Sequence, residues 1–60
     1  MSGPIDFVAV AIGTRLEMSD GSFVEVVDNP RDGMWLICRR VLADGVLSET
    51  EETVFVYDVA

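Results

Sequence analysis

Thr14-Arg15-Leu16-Glu17-Met18-Ser19-Asp20-Gly21-Ser22-Phe23-Val24-Glu25-Val26-Val27 is the stretch that decides the fold. Leu16 alternates with Arg15 and Glu17, as in a strand with one face in a core. Val24 and Val26 share one side of the second run, with Phe23, Glu25 and Val27 on the other. Between the two runs, Asp20-Gly21 tolerates the positive φ angles that a tight reversal demands. The stretch predicts an antiparallel hairpin.

The same dipeptide recurs at Asp32-Gly33 and Asp44-Gly45, each copy 12 residues after the last, with Val, Ile and Trp between them. Asp28-Asn29-Pro30-Arg31-Asp32-Gly33 reads as a second turn: proline presets φ, Asn and Asp bond their own backbone, and Gly33 returns the chain to extended form. Met34 to Val41 is then the longest strand. It carries Trp35, Ile37, Arg39 and Val41 on one side and Met34, Leu36, Cys38 and Arg40 on the other. After a third turn at Leu42-Ala43-Asp44-Gly45, the three carboxylates Glu49, Glu51 and Glu52 predict a solvated loop over Val46 to Glu52. Thr53 to Ala60 is expected as a closing strand that runs to the last residue.

Upstream, Ile5 to Ile12 is almost wholly apolar. Its β-branched residues and the stop at Gly13 predict a buried strand, although Ile5, Val8, Ala9 and Ile12 also fall at helical spacing. Residues 1–4 are expected to be a flexible lead. The whole is an all-β meander of five to six short strands in a single small domain, 1–60, forming a strongly curved sheet or a partly open barrel. A glycine-preceded strand, an Asp-Gly hairpin and a Trp-bearing third strand together loosely resemble SH3-like barrels. That resemblance implies a fold and no function.

Sixty residues hold one core at most, yet half of them are hydrophobic and the mean hydropathy is +0.36. The usual staples of small domains are absent from the sequence: Cys38 is the lone cysteine and there is no histidine. Burial against a protein partner or within a homo-oligomer is the expected substitute. The net charge of −7, with four arginines as the whole cationic complement, argues against direct nucleic-acid binding and against anionic membrane surfaces. Without a basic, apolar leader, the expected location is cytoplasmic or virion-associated.

No constellation for chemistry emerges. Cys38 lacks a histidine base, the glycines are too widely spaced for a phosphate loop, and the 28–39 segment fails as a calcium loop. Its third position is Pro30 and its twelfth is Arg39, where oxygen ligands are required. No enzyme activity, catalytic residue, cofactor or metal site is expected. Trp35, Arg39, Phe55 and Tyr57 are the candidate partner-binding residues, because aromatics and arginine dominate interface energetics. The function expected is that of a non-catalytic accessory, stabilising or decorating subunit of a larger assembly, an enzyme complex or a virion-like shell, acting by burial of an apolar strand face. The alternative is an acidic nucleic-acid mimic that occupies a basic groove.

Overall fold

The computed structural model describes residues 6–60, so the lead over 1–4, and Ile5 with it, lie outside the described residues. Four antiparallel strands form one sheet in the order of the chain: β1 (Arg15–Glu17), β2 (Phe23–Asp28), β3 (Trp35–Val41) and β4 (Leu47–Phe55). The expected hairpin is present, with Arg15 opposite Glu25, Leu16 opposite Val24 and Glu17 opposite Phe23.

Two of the three Asp-Gly turns are built alike. Gly21 N–H donates to Met18 O at 2.9 Å and Met18 N–H to Ser22 O at 2.7 Å. Twenty-four residues later, Gly45 donates to Leu42 O and Leu42 to Val46 O, both at 2.8 Å. Each glycine sits at positive φ, 89° and 85°, and each aspartate folds back on the chain, Asp20 accepting from Ser22 N–H and Asp44 from Val46 N–H. This is the three-residue hairpin loop in which a left-handed residue closes a bulge. The Asp32-Gly33 connection is longer and differently held. Asn29 organises it: its Nδ2 donates to the carbonyls of Phe7 at 2.8 Å and Val10 at 2.9 Å, while its Oδ1 accepts from Arg31 N–H.

Residues 6–12 form neither the expected strand nor the alternative α-helix. Phe7–Ala9 is a single 3-10 turn, capped by Asp6 accepting from Val8 N–H, and the chain then runs irregularly to Gly13. The 3-10 turn drops the Phe7 ring into the core while Asn29 takes up carbonyls that a sheet partner would otherwise satisfy. The core is the inner face of the sheet: Leu16, Val24, Val26, Leu36, Cys38 and Val54, closed over by Phe7. Val10, Met18, Val56 and Val59 pack at its margin.

Three further expectations need correction. The described residues hold four strands where five to six were expected. Val46 to Glu52 is no solvated loop, because β4 begins at Leu47 and carries Glu51 and Glu52 opposite Arg39 and Cys38. The closing strand does not run to the last residue. It ends at Phe55, the chain turns through a 3-10 segment at Val56–Asp58, and Val59 makes an isolated bridge to Met18. Ser19 N–H donates to Asp58 O and Ala60 N–H to Glu17 O, so the chain end ties down β1. The sheet itself is not closed into a barrel.

Candidate functional site

Strand alternation leaves the outer face of the sheet without a covering layer among the described residues. Its centre is a row of side chains crossing all four strands, Arg15, Glu25, Arg39 and Glu51, each aligned with its neighbour in the register. Arg15 Nε donates to Glu25 Oε1 at 3.0 Å and Arg39 Nη2 to Glu51 Oε2 at 3.4 Å. The row alternates in sign and sums to zero. Opposite charges directly across a pair of strands favour it, although solvent-exposed pairs of this kind contribute under about 1 kcal/mol each. Arg39 Nε is buried and has no acceptor.

Apolar side chains flank the row at both ends, with Glu17 opposite Phe23 at one and Asp28 opposite Ile37 at the other. On one side Trp35 lies opposite Phe55 in the register, with Ile37 beside them. The Trp35 indole N–H donates to Asp32 Oδ2 at 2.9 Å, which fixes the ring at the mouth of the second turn. On the other side Phe23, 49% exposed, borders a hollow lined by Arg15, Val41 and Leu42. Of the five aromatic residues in the chain, Phe7 alone is buried. Large apolar side chains that stay in water at this density mark interaction surfaces in soluble proteins.

The structure therefore gathers three of the four sequence-derived candidates, Trp35, Arg39 and Phe55, on one face. Tyr57 is not among them. It belongs to the 3-10 turn after β4 and is 77% exposed. Phe23, Arg15 and Glu25 are the members of this face that the sequence reading passed over. A signal for them was present: Arg15 and Glu25 are equidistant from Asp20, so a hairpin centred there sets them opposite each other.

The inner face ends in a second charged group. Arg40 lies opposite Val24, and its Nε and Nη2 reach the two oxygens of Glu52, both at 3.2 Å. The hydrogen bonds and charge of Glu52 raise the Arg40 pKa further. Arg40 also sets a positive charge toward Asp20, whose carboxyl is held below its usual range mainly by the Ser22 hydroxyl at 2.6 Å and the Ser22 N–H. The pair caps the open end of the core. Arg39 and Arg40 thus point to opposite sides of β3 and each meets one carboxylate of β4, which is how the adjacent acids Glu51 and Glu52 enter a paired strand.

Cys38 is fully buried in the core, and desolvation, with a smaller contribution from Glu52, pushes its thiol up to about 11. It is a packing residue with no thiolate at neutral pH. Among the described residues no group of His, Cys, Asp and Glu is arranged to hold a metal ion, and no helix is long and apolar enough to cross a membrane. No protein-family model, no curated protein and no solved structure matches this chain.

Proposed function

We propose that the chain is a non-catalytic accessory or stabilising subunit of a larger protein assembly, and that it acts by burying the outer face of its sheet on a protein partner. One observation carries the reading: four of five aromatic side chains lie outside a core that, among the described residues, holds only seven buried side chains. Trp35 and Phe55 are the anchors, and within the Arg15–Glu25–Arg39–Glu51 row each charge faces its opposite, so the centre of the face carries no net charge. As part of the same proposal, the return of Val59 to Met18 is the start of a partly open, SH3-like closure. The compartment proposed is the cytoplasm or a virion.

The acidic-mimic alternative is less well supported, because Glu25, Glu51 and Glu52 are taken up in ion pairs with arginine. A salt titration of the isolated native complex separates the two. Apolar docking is expected to lose less than about tenfold in affinity between about 0.1 and 0.5 M salt, whereas phosphate mimicry loses about a thousandfold. Replacing Trp35 and Phe55 together by serine should abolish the complex while circular dichroism shows the sheet intact. Retention of the complex by that variant, or its loss on changing Asp28, Asp44 and Glu49 to amides, overturns the reading.

A further inference from the structure

The order of charges on the outer face is itself informative. From β1 to β4 the row reads plus, minus, plus, minus. Two face-to-face copies related by a two-fold axis running along the strands, between β2 and β3, reverse the row. Arg15 then meets the partner's Glu51 and Glu25 meets the partner's Arg39. The other in-plane axis, along the row, would set every charge on its own copy. The pattern therefore complements itself in one arrangement and repels itself in the other, which is the condition an isologous interface must meet.

The flanking residues follow the same operation. Rotation about the strand direction keeps each end of the sheet at its own end, so Phe23 on β2 meets the partner's Val41 on β3. The hollow between Phe23, Val41 and Leu42 lies beside the axis, where it receives the partner's phenyl ring. At the other end Ile37 falls over the partner's Asp28, and Trp35 and Phe55 lie past the ends of the partner's β2 and β1, over the loop after Asp28 and the segment before Arg15. The area is adequate. A stable dimer removes about 800 Å² from each protein, which is close to one broad face of a molecule measuring 30 × 24 × 16 Å and exposing 3969 Å² in total.

We infer that the partner covering the outer face is a second copy of this chain, docked with the two Glu25–Arg39 pairs crossing the two-fold axis. This rests on the reading of that face as an interface and names its occupant. Sedimentation equilibrium of the full chain is the test, with Glu25→Arg and Arg39→Glu made separately and their folds checked by circular dichroism. The wild type is expected to dimerise in the micromolar range. Each variant alone creates two like-charge contacts at the axis and should dimerise about a hundredfold more weakly. An equimolar mixture of the two variants restores complementarity at every position of the row and should recover a heterodimer.

A wild type that stays monomeric up to about 0.5 mM, a dimer that both variants leave unchanged, or variants that fold but are not rescued by mixing would overturn the inference. Failure of the parent reading looks different. A monomeric wild type whose native complex is abolished by the Trp35 and Phe55 serine variant has an outer-face interface occupied by another protein. A complex indifferent to that variant has no interface there.

Discussion

Asn29 does at the residue scale what no regular element does: one side chain joins the 3-10 turn at Phe7 to the loop between β2 and β3. Removing it takes one of two donors from the Phe7 carbonyl, strands that of Val10 and frees the Arg31 N–H, so Asn29→Ala is expected to cost about 2 kcal/mol, read from the urea midpoint at an unchanged slope. Cys38 makes a prediction in pH. Its thiol ionises near 9 when unfolded and at about 11 in the core, so the unfolded state releases its proton first as pH rises. Stability should be indifferent to Cys38 below about pH 9 and fall by about 1–2 kcal/mol between pH 9 and 11. Cys38→Val should remove that decline. The burial of Cys38 was legible from its place beside Leu36 and Ile37 at the apolar centre of the third strand. The role of Asn29 was not, because two of its partners lie about twenty residues away in a segment whose β-branched content pointed to a strand.

At the scale of elements, the Asp20-Gly21 and Asp44-Gly45 turns were the clearest signal because their chemistry is local: a left-handed glycine and an aspartate that bonds two residues ahead. β4 was misread for the complementary reason. Glu51 and Glu52 repel when only their own strand is considered, and become paired once Arg39 and Arg40 stand opposite. The C-terminal segment shows the same limit, since Val56 to Asp58 leaves the sheet to reach Met18 and Ser19, contacts invisible to strand alternation. The glycines allow a comparative test. An added Cβ at Gly21 or Gly45 meets open space, so alanine there pays only for positive φ, about 1 kcal/mol. At Gly33 the same Cβ stands at ordinary contact distance, 3.4 Å, from Val8 Cγ2 at a φ of 90°, so Gly33→Ala should lower the melting temperature by about as much as Gly21→Ala does. A markedly larger shift at Gly33 would show that the Phe7–Ala9 turn presses on the second loop.

At the scale of the whole molecule, a small core and a large apolar surface are two sides of one fact. The inner face takes six side chains of the sheet and Phe7, and what remains apolar must face outward. Composition foretold that surplus, but its location depends on the register that aligns Arg15, Glu25, Arg39 and Glu51 between two apolar flanks. The central claim is that this face is covered when the protein works. Hydroxyl-radical footprinting of the native assembly, compared with the dissociated chain, tests it most directly. The account predicts strong protection of Phe23, Trp35 and Phe55 on assembly, with Phe7 unmodified in both states. Equal labelling of Trp35 and Phe55 in the assembled and dissociated forms would contradict it.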